Sequence, residues 1–116
     1  LEVIREHFKK NNIQGKVFFY DLRKISFDLP QADLCILFKV LDIIDDKKHV
    51  LSKKIIELLP CKYILVSFAT KKISGKAMNH PRRRWFELLL NRKKLPFSTF
   101  ETSNEIFYLV SKLTEK

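Results

Sequence analysis

The run YILVSFA at residues 63–69 decides the fold class, because its apolar and small residues follow one another without the alternation of a half-exposed strand. Strands that are buried on both faces show this continuous pattern, and a parallel sheet covered by helices buries its strands in this way. Pro60 precedes the run, and a basic segment follows it. The sequence therefore predicts an inner strand of a parallel α/β sheet at 63–69.

Upstream of this strand, the sequence predicts helices and strands in alternation: a helix over 1–11, a strand over 16–22 (KVFFYDL), a strand over 32–41 (ADLCILFKVL) and a helix from Asp45 and Asp46 to residue 59. The two helices have apolar residues at helical spacing, and Gly15 and Pro60 lie just past their ends. The two strands are apolar, with a polar loop around Pro30 between them. The two aspartates can accept hydrogen bonds from the first amides of their helix.

Residues 71–94 (KKISGKAMNHPRRRWFELLLNRKK) are strongly basic. They contain nine Lys or Arg residues and one acid, Glu87, and so carry eight of the chain's ten net positive charges. Such clustering is typical of a surface that binds a polyphosphate such as RNA or DNA, because solvated helices usually mix both signs. A lysine-rich solvated face is the alternative interpretation.

A helix is predicted over 81–94 within this basic segment, because Pro81 suits the first helical position. After Pro81, three apolar residues have the helical spacing of a core face: Trp85, Leu88 and Leu89. Arg82, Arg83 and Arg84 then fall in the first turn, where each exposed cation opposes the helix macrodipole at a cost of about 0.3 to 1 kcal/mol. This unfavourable placement favours a phosphate clamp made of arginines and helix amides.

Two short strands, Phe97–Glu101 and Glu105–Ser111, are predicted to close the chain as a hairpin. The complete order of elements is αβ, βα, βα, ββ. This order predicts an α/β fold, specifically the C-terminal half of a doubly wound, Rossmann-like sheet that is mostly parallel and has an antiparallel last strand.

Composition limits the class of protein. The 116 residues are 46% hydrophobic, which is enough for the core of one domain. The apolar runs are much shorter than the ~20 residues of a membrane helix, and no signal peptide opens the chain, so we expect a cytoplasmic protein. Because the chain begins at Leu1 rather than at Met and contains two glycines, we expect residues 1–116 to form a single partial domain.

The cysteines and histidines do not indicate a metal site. Cys35 and Cys61 form no Cys-x-x-Cys pair and have no partnering histidine nearby in the sequence. We expect buried thiols rather than a disulfide or a zinc site.

Five short strings occur in a fixed order: Tyr20-Asp21-Leu22, Leu37-Phe38-Lys39-Val40-Leu41, Ser67-Phe68-Ala69-Thr70-Lys71 with Gly75-Lys76, Met78 with Trp85-Phe86-Glu87, and Glu105-Ile106-Phe107-Tyr108-Leu109. Together they resemble the C-terminal part of the 16S ribosomal RNA methyltransferases that confer aminoglycoside resistance. That family belongs to the class I S-adenosylmethionine-dependent methyltransferases, whose last strand is inserted antiparallel. The resemblance extends over most of the chain.

The resemblance implies a cofactor site for S-adenosylmethionine at the carboxyl ends of the strands, with Asp21, Leu22, Phe38 and Lys39 on one rim. Asp21 would hold the adenine amino group, and Leu22 would pack on the adenine ring. A carboxylate is a suitable acceptor for an exocyclic amine. Phe38 and Lys39 would border the methionine end of the cofactor and the target base. The alternatives are a strand-end cap for Asp21 and a core position for Phe38.

The resemblance also implies a substrate, which is a purine base in ribosomal RNA or in the small ribosomal subunit. The RNA would contact six basic residues: Lys71, Lys72, Lys76, Arg82, Arg83 and Arg84. A purine ring nitrogen such as guanine N7 has a free lone pair, so we expect no catalytic acid or base. Catalysis would come from alignment of the reacting atoms, which can supply about 7 to 11 kcal/mol in favourable cases.

The chain departs from the family pattern in ways that matter for function. Ala69 and Asp42 stand where the family has proline, and Arg82 stands where tyrosine is common. The glycine-rich loop for the methionine end of the cofactor is absent, so we expect that this chain alone cannot hold the cofactor. Two other functions remain open: a noncatalytic RNA-binding module, and an interaction domain for an acidic partner protein.

Overall fold

The computed structural model describes residues 2–15, 21–22, 29–45, 48–71 and 82–113. The helices and strands in these residues are α1 Glu2–Lys10, β1 Ala32–Phe38, α2 Leu41–Ile44, α3 Val50–Leu58, β2 Cys61–Ala69, α4 Arg84–Arg92, β3 Phe97–Glu101 and β4 Glu105–Ser111. None of the described helices is long and apolar enough to cross a membrane.

The strands form one mixed sheet in the order β1-β2-β4-β3. β1 pairs with β2 in parallel, and β4 pairs antiparallel with both β2 and β3. Three strands therefore run in one direction, and the last strand is inserted between two of them in the opposite direction. This topology confirms the predicted α/β fold, including its antiparallel last strand and its closing hairpin.

The predicted strand over 32–41 is too long at its end. β1 stops at Phe38 because Lys39 adopts a left-handed conformation, with φ of 55°, which a strand cannot contain. The Lys39 N–H donates to the carbonyl of Ser67 at 3.0 Å, and the chain then turns into α2. Of the predicted strand over 16–22, residues 16–20 lie outside the described residues, and Asp21 and Leu22 are not in a strand.

The helix predicted to start at Asp45 and Asp46 begins later, at Val50. His49 precedes it with φ of 57°, also in the left-handed region. Asp45 still serves this helix, because its carboxylate accepts from the Ser52 backbone N–H at 3.3 Å and from the Ser52 hydroxyl at 2.5 Å. Asp45 therefore accepts a hydrogen bond from the first turn of the helix, as predicted, although the helix begins later than predicted. Asp46 lies outside the described residues.

The helix predicted over 81–94 is shorter and begins at Arg84. Arg82 and Arg83 therefore precede the first turn, and their predicted place within it is wrong. The physical reason is that the Arg83 backbone N–H donates to the Tyr108 hydroxyl at 3.0 Å, which fixes this residue outside the helix. Pro81 lies outside the described residues.

The core lies between one face of the sheet and the helices that follow its strands. Its largest fully buried side chains include Tyr108, Phe68 and Phe86, whose rings meet edge to face with centroids 5.3 to 5.8 Å apart. On α4 the buried residues are Phe86 and Leu90. This differs from the predicted core face, because Trp85 and Leu89 are only partly buried and Leu88 is 46% exposed.

The opposite face of the sheet is apolar and open to solvent. Six large apolar side chains of β1, β2, β3 and β4 are 38 to 52% exposed there: Leu34, Ile36, Phe38, Tyr63, Phe100 and Leu109. They share this face because residues paired across neighbouring strands point to the same side, as Phe38, Ser67, Phe107 and Phe100 do in one row. We call this surface the open sheet face.

Candidate functional site

The carboxyl ends of β1 and β2 lie at one edge of the sheet, which we call the rim. The two strands are parallel, so Phe38 and Lys39 at the end of β1 stand beside Ser67 near the end of β2. β4 runs the other way and brings Glu105, its first residue, to the same edge. This is the edge at which open α/β sheets bind their ligands.

Lys39 is fixed at the rim through both its backbone and its side chain. Its N–H also lies 3.2 Å from the Ser67 hydroxyl, and this hydroxyl donates to the Glu105 carboxylate at 3.0 Å. The same carboxylate lies 3.9 Å from the Lys39 ammonium. The fully buried Ser67 thus holds the Glu105 carboxylate near the half-exposed ammonium of Lys39.

Phe38 lies on the open sheet face, outside the group of buried residues that forms the core of this chain. Its ring is 47% exposed and meets the edge of Phe107 with centroids 5.7 Å apart. Phe107 in turn stacks on Phe100 at 4.8 Å. These aromatic rings form an apolar row that ends at the rim.

Asp21 and Leu22 differ in their surroundings. Asp21 is exposed, and Leu22 is partly buried and packs against the core. An exposed carboxylate can accept a hydrogen bond from the adenine amino group, and a neighbouring anchored apolar side chain can pack on the adenine ring.

The three arginines of the predicted phosphate clamp have three different environments. Arg82 forms a bidentate ion pair with Glu87, with nitrogen to oxygen distances of 2.9 and 2.7 Å, and remains 57% exposed at its side chain. Arg84 is exposed at the first position of α4. Lys71 is exposed at the end of β2, whereas Lys72 and Lys76 lie outside the described residues.

Arg83 is held inside the structure, with only 12% of its side chain exposed. Its guanidinium donates to the Asp42 carboxylate at 2.7 Å and to the Ala69 carbonyl at 3.0 Å, and it lies 5.1 Å from the centroid of the Phe68 ring. Asp42 and Ala69 are the two positions at which the resemblance leads one to expect proline. The ion pair between Arg83 and Asp42 was not predicted from the sequence. Its signals were an acid at position 42, where the resemblance leads one to expect proline, and the cluster of arginines at 82–84.

Tyr108 ties the start of α4 to the sheet. Its buried hydroxyl accepts from the Arg83 N–H at 3.0 Å and donates to the Glu87 carboxylate at 2.7 Å. Burial, and then the hydrogen bond to Glu87, raise the pKa of the Tyr108 phenol to about 12. The phenol therefore remains protonated and able to donate over the whole physiological pH range.

We expect the free energy of unfolding to decrease between about pH 10 and pH 12, in part because of Tyr108. The folded-state pKa of about 12 lies above the ordinary value of 10.0, so its stabilising contribution is complete below pH 10 and is lost as pH rises through 12. The measurement is urea unfolding of the wild type and of Tyr108→Phe across this range. The variant should be less stable at pH 7 by about 1 to 3 kcal/mol, and the difference should shrink at high pH. A constant difference would contradict the assigned hydrogen bond.

Both cysteines are free thiols and partly buried. Burial raises the pKa of Cys35 and of Cys61 above the ordinary value, as expected for structural thiols. Within the described ranges, no group of three His, Cys, Asp or Glu side chains converges as metal ligands do.

The sequence profile of the ribosomal RNA methyltransferase (FmrO) family matches residues 1–109. A search of curated protein sequences finds no significant match. Among solved structures, an rRNA methylase from Escherichia coli matches with a TM-score of 0.72 and 15% identity over 96% of this chain. The 16S rRNA methylase RmtB matches with a TM-score of 0.71 and 16% identity over 96% of the chain. The 16S rRNA methyltransferase RmtF, in complex with S-adenosyl-L-homocysteine, matches with a TM-score of 0.62 and 22% identity over 79% of the chain.

The chain corresponds to only part of each of these proteins. It covers 43% of the E. coli methylase, 42% of RmtB and 36% of RmtF. At these identities the likeness shows the fold, and the profile match over most of the chain shows the family.

Proposed function

The chain belongs to the ribosomal RNA methyltransferase (FmrO) family, and on that premise we propose that it forms the C-terminal part of an S-adenosylmethionine-dependent enzyme that methylates a purine base of ribosomal RNA. The observation that carries the proposal is the profile match over residues 1–109. The structure of RmtF with S-adenosyl-L-homocysteine supports the choice of cofactor, because that ligand is the cofactor after loss of its methyl group.

The rim is suited to the adenine end and the reactive end of this cofactor. Asp21 would accept a hydrogen bond from the adenine amino group, and Leu22 would pack on the ring. Phe38 would shield the site from water with its half-exposed ring, and Lys39, held by Ser67, would border the target base. When bound, the cofactor supplies the methyl group.

The residues of this chain contribute positioning rather than acid or base chemistry. A purine ring nitrogen already has a lone pair, and the Glu105 carboxylate at the rim is paired with Lys39 and Ser67. Alignment of the base with the methyl group inside a closed site is then the main catalytic effect. Lys71 and the exposed arginines Arg82 and Arg84 are the described cations that would contact RNA phosphates, which position a substrate without selecting its sequence.

We also infer that residues 1–116 are one part of a larger domain in a cytoplasmic protein. The open sheet face exposes apolar side chains that a complete α/β domain covers with helices. The structural relatives are more than twice as long as the part of them that this chain covers, so the remaining half of such a domain can provide these helices. The glycine-rich loop for the cofactor would come from that half.

Asp21→Ala tests the proposed cofactor site. We expect the protein extended upstream of Leu1 to bind S-adenosylmethionine, and we expect the isolated chain to bind it weakly or not at all. The substitution should weaken binding by about tenfold, as expected for the loss of a charged hydrogen bond worth about 1.5 to 3 kcal/mol. The measurement is isothermal titration of the extended protein with and without the substitution, with Asp33→Ala as the exposed control.

Equal affinity of the Asp21→Ala and Asp33→Ala proteins would contradict the adenine role of Asp21. An extended protein that binds RNA but no S-adenosylmethionine would instead support the noncatalytic RNA-binding module.

A further inference from the structure

A groove of about 560 Å³ lies between α3 and α4, outside the rim. Its volume falls in the range of about 300 to 1,000 Å³ that is typical of ligand-binding clefts. None of the residues assigned to the cofactor or to the phosphate clamp lines it. It is therefore a second concave surface that the proposed function has not used.

The groove is strongly basic. Among the described residues that line it, four are cations, Lys48, Lys53, Arg92 and Lys93, and one is an acid, Glu57. Glu57 forms an ion pair with Lys93, and this hydrogen bond lowers the pKa of the Glu57 carboxyl, so the acid is charged and its charge is matched locally. Lys53 and Arg92 therefore contribute to the positive excess among the described residues of the groove.

The floor of the groove is aromatic and apolar. The Trp85 indole stacks on the His49 imidazole with centroids 3.8 Å apart and planes only 3° from parallel. Beside them lie two exposed apolar side chains, Val50 at 57% and Leu88 at 46% exposure. The stacked rings and the apolar side chains, which lie between cations, offer both a stacking surface and phosphate partners.

One end of the groove lies on the rim side of the sheet, and the groove runs away from the rim. α3 ends at Leu58, just before β2 starts at the opposite edge of the sheet, and α4 ends at Arg92 before β3 starts at that same edge. Both helices therefore start on the rim side. His49 and Trp85 lie at the rim end of the groove, and Arg92 and Lys93 lie at its far end.

We propose that this groove binds a single-stranded RNA segment that flanks the target nucleotide. The proposal rests on the proposed function, because it takes the substrate at the rim to be RNA. Charge complementarity favours a polyanion, and continuity favours RNA over an acidic peptide, since Arg92 and Lys93 belong to the basic segment 71–94 whose other cations are proposed to contact RNA. Only a nucleic acid combines regularly spaced phosphates with flat bases for the aromatic floor.

Trp85 makes the proposal directly testable, because it is the chain's only tryptophan and it lines the groove. A short uridine oligonucleotide should quench Trp85 fluorescence with saturation, and poly-glutamate should not. Neutralising two groove cations in the variant Lys53→Gln with Arg92→Gln should weaken oligonucleotide binding. It should also reduce the slope of log affinity against log salt by ~0.7 for each phosphate that the variant no longer neutralises. The matched control, Lys9→Gln with Lys10→Gln on α1, removes the same charge from an exposed surface outside the groove.

The outcomes of this experiment distinguish a failure of the groove proposal from a failure of the proposed function. Equal reductions of affinity in both double variants, or RNA binding with unchanged Trp85 emission, would overturn the groove site and leave RNA binding by the basic segment intact. Binding of poly-glutamate without binding of RNA at any salt concentration would overturn both the groove proposal and the RNA substrate of the proposed function. Weaker quenching and a smaller salt slope in the groove variant alone are the result that we expect.

Discussion

Replacing Phe86 by alanine is expected to lower the free energy of unfolding by about 3 to 5 kcal/mol, the range for truncation of a buried phenylalanine. Phe86 is fully buried, and its ring contacts three others, Phe68 at 5.4 Å, Trp85 at 5.5 Å and Tyr108 at 5.3 Å. The substitution removes apolar area from α4 and also leaves a cavity within this aromatic cluster. Urea unfolding followed by far-UV circular dichroism measures the decrease.

Leu88→Ala is the matched control for Phe86→Ala, because it truncates a large apolar residue on the same helix. Leu88 is 46% exposed, so we expect a change below about 1 kcal/mol. If Leu88→Ala destabilises the chain as much as Phe86→Ala, α4 packs with a different face toward the sheet.

Arg83→Gln is expected to destabilise the chain by about 2 to 3 kcal/mol. The substitution removes the ion pair with Asp42, the hydrogen bond to the Ala69 carbonyl and the packing on the Phe68 ring. Breaking a fully buried pair typically costs about 3 to 5 kcal/mol. The Asp42 side chain is 39% exposed, so water compensates part of this cost. Thermal and urea unfolding measure the change.

Arg84→Gln removes the same charge from the next residue and provides the control for Arg83→Gln. Arg84 is exposed at the start of α4, where a cation opposes the helix macrodipole, so its replacement should leave stability unchanged or raise it slightly. Equal effects of the two substitutions would contradict the structural role of Arg83. A large fall in RNA affinity with Arg84→Gln alone would support its assignment as a phosphate ligand.

From β1 to β4, the order of the described elements could be predicted from the sequence, apart from the short helix α2, because it depends on local patterns. The continuous apolar run in β2 indicated a buried parallel strand, and the two short strands after α4 indicated the inserted antiparallel end. These signals lie within single segments of seven to nine residues, such as Cys61–Ala69 and Glu105–Ser111. The family followed from short strings in a fixed order, and the profile match confirms it.

The ends and inner faces of the elements could not be predicted because they depend on contacts between distant segments. α4 starts at Arg84 because Arg83 is held by Tyr108 and Asp42, which lie 25 and 41 residues away in the chain. β1 stops early because Lys39 turns to meet Ser67, 28 residues away. Cations are unfavourable at the start of a helix, and for this reason the three arginines at 82–84 were interpreted from the sequence as a phosphate clamp. The structure gives Arg83 a structural role there and leaves Arg82 and Arg84 exposed, with Arg82 paired to Glu87.

The most direct test of the central claim is methyl transfer to ribosomal RNA. Small ribosomal subunits are incubated with radiolabelled S-adenosylmethionine and the protein extended upstream of Leu1, and the labelled nucleotide is identified after digestion of the RNA. We predict label in a purine of the small-subunit RNA, and we predict much less label when Asp21 is replaced by alanine. Label in protein only, or no label in RNA from an extended protein that binds S-adenosylmethionine, would contradict the assignment of this chain to an active ribosomal RNA methyltransferase.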